Sequence, residues 1–265
     1  MALVATIDWN HTLAAIWRSR QQKLRAIARE DIDFLELDKL LGIERQKRLF
    51  IDNIEYFIKG NSTNHVLLWG ARGTGKSSLV KAVLHAYHPQ GLRVIEIPKE
   101  DLACLTDISD EIRSLKQRFI IFCDDLSFED GESSFKELKS TLQGSIEKPP
   151  QNVLVVATSN RRHLIAEHMK DNEQARFVNG EIHQADTIEE KMSLADRFGL
   201  SLSFYPPTQK EYLAIVDMLF ANIKNIDKDK LHILADRFAR ERGNRSGRIA
   251  QQFYYAQLTR GKLSQ

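Results

Sequence analysis

The residues with the clearest chemical potential lie in one nonapeptide, GARGTGKSS, at positions 70–78. It fits G-x-x-x-x-G-K-[ST] and stands between an apolar run, HVLLW, and an apolar helix-forming segment, SLVKAVLHAY. Glycines let backbone N–H groups approach phosphate oxygens, and a helix that begins there adds its positive end. The alternative is a glycine-rich turn with a solvated lysine. We predict that the motif is a phosphate-binding loop, formed by Gly70, Ala71, Arg72, Gly73, Thr74, Gly75, Lys76, Ser77 and Ser78.

Acidic side chains follow a second apolar run, FIIFC, where a strand would end. In open α/β sheets, ligands bind at the carboxyl ends of the strands. Asp124 is therefore predicted to hold Mg²⁺ together with the Ser77 hydroxyl, while Lys76 reaches the phosphates. Asp125 is placed to polarise the attacking water, or it caps the next segment. Glu129 is a second candidate, because a glutamate reaches one methylene further than an aspartate.

Polar residues elsewhere in the chain could assist phosphoryl transfer. Asn160 ends the apolar run NVLVVATSN and could hold the attacking water. Arg197 precedes a short predicted strand, and Arg248 lies near the start of the last predicted helix, three residues after Arg245. Positive charge near a transferring phosphoryl group stabilises its transition state. A helical lid that carries an arginine would couple the binding of phosphate to closure of the lid. From spacing alone, a surface position is the simpler interpretation of each arginine.

The elements that must position these residues alternate along the middle of the chain. The apolar runs HVLLW, RVIEI, FIIFC and NVLVVATSN are predicted strands, and the segments between them are predicted helices. Continuous apolar strands separated by helices are typical of a parallel sheet that is covered on both faces. After Pro206 the capping box Thr208–Glu211 opens the first of three predicted helices. We predict an α/β core over residues 41–205 and a small all-helical lid over residues 206–265.

The N-terminal part is predicted to be helical. Apolar residues in the range 9–28 fall on one stripe of a helix, which defines a helical extension over residues 1–40. A second helix is predicted over residues 38–59. The polar stretch 169–186 has no clear period and is predicted to be a long loop.

Composition is that of an ordinary globular protein, with 42% hydrophobic and 28% charged residues and a net charge of +2. The charge is unevenly distributed, since residues 1–29 carry five basic side chains against one acid, and residues 206–265 carry eleven against six. Two cysteines, Cys104 and Cys123, argue against a disulfide scaffold. No apolar run is long enough to span a membrane, and no secretory signal is evident. We expect a cytoplasmic protein.

Taken in order, the motifs LLGIE, GARGTGKSS, FIIFCDDLSFED, VVATSN, SLADRFG and RSGRIA resemble those of AAA+ ATPases from about residue 40 to the C-terminus. In detail the chain is similar to an AAA+ family of bacterial predicted ATPases of unknown function. DDLSF and DRFGLSLSFYPP are also similar to motifs of replication initiators and helicase loaders. The fold implied is a P-loop NTPase core with a helical lid.

The resemblance implies roles that spacing cannot supply. Gly42 and Ile43 would line the adenine pocket, and Asn160 would be the sensor 1 residue. Arg197 would be an arginine finger that acts in the neighbouring subunit of a homo-oligomer. Arg248 would be the sensor 2 arginine, with Arg245 as second choice. The chain departs from the family at Asp125, where many members have glutamate, and this leaves the base open.

Three functions follow from these features. The first is a Mg²⁺-dependent ATPase that hydrolyses ATP slowly, assembles through Arg197 and remodels or loads a protein or nucleoprotein partner. The second is a nucleotide-controlled switch with little turnover, which Asp125 in place of glutamate favours. The third is contact with nucleic acid, which the basic ends of the chain suggest, although no helix-turn-helix or aromatic stacking platform is present.

Overall fold

A computed structural model describes residues 7–126, 148–160 and 197–260. Its centre is a seven-stranded sheet in the order β2-β1-β4-β5-β6-β3-β7. All neighbouring strands are parallel except the antiparallel pair of β1 and β2. The strands are β1 (Ala14–Arg18), β2 (Lys23–Ile27), β3 (Val66–Gly70), β4 (Leu92–Glu96), β5 (Arg118–Cys123), β6 (Val153–Ser159) and β7 (Leu200–Phe204).

Helices cover the sheet and form the C-terminal part. Within the described ranges the α-helices are α1 (Glu44–Ile58), α2 (Lys76–Tyr87), α3 (Leu105–Ile112), α4 (Gln209–Leu219), α5 (Lys228–Glu241) and α6 (Gly247–Arg260). Leu67 and Ile121 belong to the core on the α3 face of the sheet, while their chain neighbours Leu68 and Phe122 belong to the core on the α1 and α2 face. Successive strand residues thus point to opposite cores, which explains the continuous apolar runs. The predicted sheet with helices on both faces is confirmed.

The strand order places the chemical residues together. β6 lies between β3 and β5, and all three are parallel. Their carboxyl ends are therefore neighbours, although they come from positions 70, 123 and 159 of the chain. Crossover connections in parallel sheets bring distant sequence segments to one edge in this way.

The prediction of an N-terminal helix over residues 9–28 is wrong. This part forms the β1–β2 hairpin, in which Trp17 pairs with Leu24, and Gln22 turns the chain in the left-handed region at φ 48°. Apolar residues four and seven positions apart suit either a helix stripe or two paired strands, so periodicity could not decide. Tertiary contacts decide instead: β1 pairs with β4, and the buried Arg93 of β4 donates hydrogen bonds to the carbonyls of Trp9 and Asn10.

The second predicted helix starts later than expected. Residues 37–39 form a 3₁₀ turn, Gly42 has φ 78°, and α1 begins only at Glu44. A left-handed glycine cannot lie inside a right-handed helix, so this position separates the turn from α1.

The three C-terminal helices have a core of their own, which includes Tyr212, Leu231 and Phe253. The Thr208 side chain accepts from the Glu211 N–H, and the Glu211 carboxylate accepts from the Thr208 N–H, so the predicted capping box is present. The polar stretch 169–186 lies outside the described residues. The division at residues 41 and 206 stays a prediction.

Two general features complete the description. Cys104 and Cys123 form no disulfide, and burial raises the pKa of the Cys123 thiol to about 12. Among the described residues, no helix has both the length and the apolar character that crossing a bilayer demands.

Candidate functional site

The phosphate loop bends sharply between β3 and α2. Its three glycines all have positive φ: 130° at Gly70, 73° at Gly73 and 99° at Gly75. At Gly70 a Cβ would lie 2.0 Å from the carbonyl oxygen of Phe204, so only glycine fits beside β7. The next residue, Ala71, donates its N–H to that same carbonyl over 3.0 Å. The loop therefore has a fixed shape that delivers the chain to the first turn of α2.

Lys76 occupies the centre of the loop and is 6% exposed. Its Nζ donates to the carbonyls of Gly70 (2.9 Å) and Ala71 (2.8 Å) and to Oδ1 of Asn160 (3.1 Å). Burial lowers the pKa of Lys76 to about 8, against the charges of Asp124 and Asp125, which raise it. A cation held only by carbonyl and amide oxygens is ready to exchange them for phosphate oxygens.

Ser77 and Asp124 meet at the adjoining strand end. The Ser77 hydroxyl donates to Oδ1 of Asp124 over 2.6 Å. Thr158 on β6 donates to the same oxygen over 2.6 Å, while its own Oγ1 accepts from the N–H of Asp125 over 2.8 Å. Magnesium prefers oxygen ligands in octahedral geometry and binds through few protein groups, so this hydroxyl–carboxylate pair fits the metal.

Asp125 is held in an unusual conformation. It has φ 54°, a left-handed value that aspartate tolerates better than most residues. Its Oδ1 accepts a hydrogen bond from Nδ2 of Asn160, whose Oδ1 accepts from Lys76. Asn160 thus bridges the phosphate-loop lysine and the carboxylate. Glu129, the other candidate base, lies outside the described residues.

Two polar residues of this edge were missed by the sequence analysis. Thr158 orients Asp124, and the only signal was a hydroxyl two positions before the end of the predicted strand NVLVVATSN. Glu96 ends β4 on the face of α2, opposite Phe122 of β5. Burial raises the pKa of the Glu96 carboxyl, and the Asp124 charge acts in the same direction. The acidic edge therefore extends one strand beyond Asp124.

The lid touches the phosphate loop through the start of α6. A Cβ at Gly73 would lie 2.9 Å from Oγ of Ser246 and 3.0 Å from Cβ of Arg248. The positive charge of Arg248 also contributes to the lowered pKa of Lys76. The structure therefore brings Arg248 to the loop.

The neighbouring Arg245 has a different environment. It binds Asp236 through Nε (3.1 Å) and Nη2 (2.7 Å), and Arg240 binds the other oxygen of Asp236 over 2.8 Å. These contacts, the hydrogen bond from Arg245 first, lower the pKa of Asp236. Arg245 is therefore engaged inside the lid and not at the loop.

The segment before α1 closes the other side of the loop. A Cβ at Gly75 would lie 3.5 Å from Cδ1 of Ile43, and a Cβ at Gly42 would lie 3.5–3.6 Å from the side chain of Glu211 on α4. Gly42 and Ile43 thus lie between the phosphate loop and the lid.

Arg197 lies apart from these residues. It is exposed and precedes the buried Phe198 and strand β7. Within the described ranges no hydrogen bond or ion pair of its side chain is found. The loop, Asp124, Asp125, Asn160 and Arg248 come together in one chain, whereas Arg197 does not join them.

This fold and this loop define the class of the protein: it has the P-loop fold of AAA+ ATPases. A model of the family described as "Protein of unknown function (DUF815)" matches residues 10–261, and the chain belongs to that family. A search of curated proteins found no match.

Two solved structures illustrate the likeness of fold. The Holliday junction branch migration motor RuvB of Thermotoga maritima is 20% identical, with a TM-score of 0.53 over 87% of this chain and 67% of that one. The ORC1 protein of Aeropyrum pernix, solved in complex with DNA, is 17% identical, with a TM-score of 0.55 over 80% of this chain and 58% of that one.

Proposed function

We propose that the protein binds ATP with Mg²⁺ and hydrolyses it slowly. The observation that carries this proposal is the 2.6 Å hydrogen bond between Ser77, in the first turn of α2, and Asp124, which directly follows β5. A hydroxyl that follows the phosphate-loop lysine and a carboxylate at a neighbouring strand end are the two protein ligands that P-loop NTPases use for magnesium.

Each residue of the edge has a role in this proposal. Lys76 exchanges its carbonyl partners for phosphate oxygens, and Ser77 and Asp124 hold the metal, which neutralises charge on the phosphates when it is bound. Thr158 keeps the Asp124 carboxylate turned toward Ser77. Gly42 and Ile43 receive the adenine, and Arg248 approaches the phosphates from the lid.

In this proposal, Asp125 and Asn160 activate the attacking water. Asp125 accepts the proton of the attacking water, and Asn160 orients that water, with Glu129 as the alternative base. The Asn160–Asp125 hydrogen bond occupies one carboxylate oxygen, so the water must displace or share it. A short side chain with one occupied oxygen supports slow turnover.

The same hydrogen bond favours the second function, a nucleotide-controlled switch with little hydrolysis. In that case ATP sets the position of the lid through Arg248, and Asp125 stays bound to Asn160. Measuring single-site turnover decides between the two, since a rate of about 1 per second or more rules out the switch.

Assembly forms the third part of the proposal. Arg197 is exposed and stays away from the loop of its own chain, as a residue that completes a neighbouring site in a homo-oligomer must. The assembled ATPase would remodel or load a protein or nucleoprotein partner. One similar structure is named as a Holliday junction branch migration motor and the other was solved in complex with DNA, which supports a nucleoprotein partner.

Metal dependence tests the nucleotide part. Binding of a fluorescent ATP analogue is titrated with Mg²⁺ and with excess chelator, for the natural chain and for Asp124→Asn. We expect Mg²⁺ to strengthen binding in the natural chain and in the control described next, but not in Asp124→Asn. Asp110→Asn on the surface of α3 is the matched control. Equal metal dependence in all three proteins would refute the assigned site.

Protein concentration tests the assembly part. Specific ATPase activity is measured together with particle mass, with and without nucleotide. We expect both to rise with concentration, and we expect Arg197→Ala to retain nucleotide binding and lose hydrolysis. Activity of a monomer that is independent of concentration contradicts the role of Arg197.

A further inference from the structure

The tip of the β1–β2 hairpin extends beyond the sheet to which it belongs. Pairing of β1 with β4 ends at Ile16 and Glu96, whereas pairing with β2 continues to Arg18 and Lys23. Residues 19–21 form a 3₁₀ turn that connects the two strands. Beyond Ile16 the hairpin is therefore a two-stranded ribbon without a third strand beside it, and one of its faces packs on the core through Trp17 and Leu24.

Basic side chains share one face of this ribbon. Leu24 points into the core on the α3 face, so Lys23 and Arg25 point to the opposite face, and Arg18 lies opposite Lys23 on that same face. Arg20 adds a fourth cation at the turn. All four are exposed, and within the described part of the chain none forms an ion pair. No acidic residue occurs in the sequence from Trp9 to Arg29.

The other exposed side chains of the tip are polar, and two of them form hydrogen bonds. Ser19 donates a hydrogen bond to Asp101, and Gln22 donates to the carbonyl of Ser19 over 3.3 Å. Gln21 and Gln22 are exposed hydrogen-bonding side chains. The one aromatic residue of the tip strands, Trp17, is 1% exposed. The exposed tip thus consists of Arg, Ser, Arg, Gln, Gln and Lys, with no apolar group to insert into a partner.

We propose that this hairpin tip, residues 18–25, binds the phosphate backbone of a nucleic acid. Four cations on a two-stranded ribbon are suited to a row of phosphates, and such a ribbon has the width that the major groove of DNA accepts. Residues two apart on a strand are about 7 Å apart, so Lys23 and Arg25 reach separate phosphates. The exposed side-chain amides of Gln21 and Gln22 supply neutral donors of the kind that such interfaces use.

Other polyanionic partners fit this tip less well. Amphipathic segments on a membrane surface combine basic charge with apolar side chains that enter the headgroup region, and the exposed tip has no such apolar side chain. Protein interfaces usually centre on buried aromatic anchors, which are also missing from the exposed tip. An exposed polar ribbon with four cations that form no ion pair with the described residues favours a phosphodiester backbone as the partner.

The tip and the nucleotide site lie on the same edge of the sheet. β1 is parallel to β4 and β5, so the Arg18 end of β1 points the same way as the Asp124 end of β5. Glu96 lies between them and is within electrostatic reach of both Arg18 and Asp124. A nucleic acid on the tip would thus be near bound ATP, but the proposal does not depend on ATP hydrolysis.

The test measures binding of the full chain to fluorescent 20-nucleotide probes, which are duplex DNA, single-stranded DNA and single-stranded RNA, at several salt concentrations. The test variant carries Arg20→Gln, Lys23→Gln and Arg25→Gln. The control variant loses the same charge from exposed positions of the lid through Lys224→Gln, Lys228→Gln and Lys230→Gln. Thermal unfolding and ATP binding show that both variants are folded.

Four phosphate contacts predict that affinity for duplex DNA falls roughly 100-fold between 50 and 200 mM salt. We expect the hairpin variant to bind at least 10-fold more weakly than the natural chain. The slope of log affinity against log salt concentration should become smaller in magnitude by about 2.7, because three phosphate contacts are lost. The control variant should bind as the natural chain does. The probe that binds tightest identifies DNA or RNA as the source of the phosphates. Equal losses in both variants would indicate net charge alone and overturn the proposal. Binding to vesicles with 30% phosphatidylserine, without binding to any probe, would also overturn it.

Discussion

The phosphate loop and the N-terminal hairpin both lie at the carboxyl edge of one sheet, but they obtain their structures differently. The loop has three glycines with positive φ at fixed spacing, so its conformation is specified by the residues that form it. The hairpin depends on β4, on the carbonyl partners of Arg93 and on the burial of Trp17. A conformation that nearby residues determine can be predicted from the sequence, whereas one that depends on contacts with distant residues cannot.

The largest effect is expected where the hairpin enters the core. Trp17→Ala removes a side chain that is 1% exposed, and we expect a loss of about 3–5 kcal/mol in the free energy of unfolding. Chemical denaturation measures it. Tyr56→Ala, at a side chain that is 54% exposed, is the control and should change stability by less than about 0.5 kcal/mol. A small effect of Trp17→Ala would mean that the hairpin is an appendage and not part of the fold.

The second effect concerns the loop. Lys76→Ala removes the buried cation, and we expect ATP affinity to fall by about 1.5–3 kcal/mol, roughly 10- to 150-fold. Titration with a fluorescent ATP analogue measures it. Lys81→Ala on the next turn of α2, where the lysine pairs with Asp33, is the matched control. If both variants bind alike, the loop does not hold phosphate.

The strand that leads into the phosphate loop also depends on contacts with distant strands. His65 precedes β3; its Nδ1 accepts from the Val155 N–H of β6, and its carbonyl accepts from the Leu200 N–H of β7. Burial lowers the pKa of His65 to about 4, below the ordinary value of 6.5. The folded state therefore binds this proton less readily than the unfolded state, and stability is lost as pH falls from 6.5 toward 4.

We expect a loss of up to about 1.4 kcal/mol per pH unit in that window from this residue. Urea midpoints between pH 7 and 5 measure it, with His65→Asn as the comparison, since asparagine retains an acceptor but does not titrate. An identical pH dependence in both proteins would assign the acid sensitivity to other groups.

The smallest effect separates the two lid arginines. Arg245→Ala should lower stability by about 1 kcal/mol, because Asp236 is 7% exposed and loses two hydrogen bonds, and should leave nucleotide affinity nearly unchanged. Arg248→Ala should do the reverse, with a loss in affinity of about 1 kcal/mol, roughly 5-fold. Thermal unfolding and nucleotide titration of both variants measure the pair. Exchanged effects would mean that Arg245 serves the nucleotide.

What the sequence predicted at this edge follows the same division. Ser77, Asp124 and Asn160 were predicted close together, because motif spacing and strand ends are local signals, and the structure brings them together. Thr158 and Glu96 were missed, because their proximity to Asp124 depends on strand order and register. The choice between Arg245 and Arg248 needed the position of Asp236, which lies on another helix.

Strand β7 connects the segment that contains Arg197 to the phosphate loop. Its last carbonyl, that of Phe204, holds the Ala71 N–H at the start of the phosphate loop, and Arg197 precedes its first residue by three positions. The five residues of β7 are extended and pair with β3, so a displacement at one end of the strand is transmitted to the other. If Arg197 enters the site of a neighbouring subunit, gain or loss of the γ-phosphate in that site would displace the start of β7. The other end of β7 is hydrogen-bonded to the phosphate loop of this chain. In such an oligomer, the backbone of β7 would connect the two nucleotide sites.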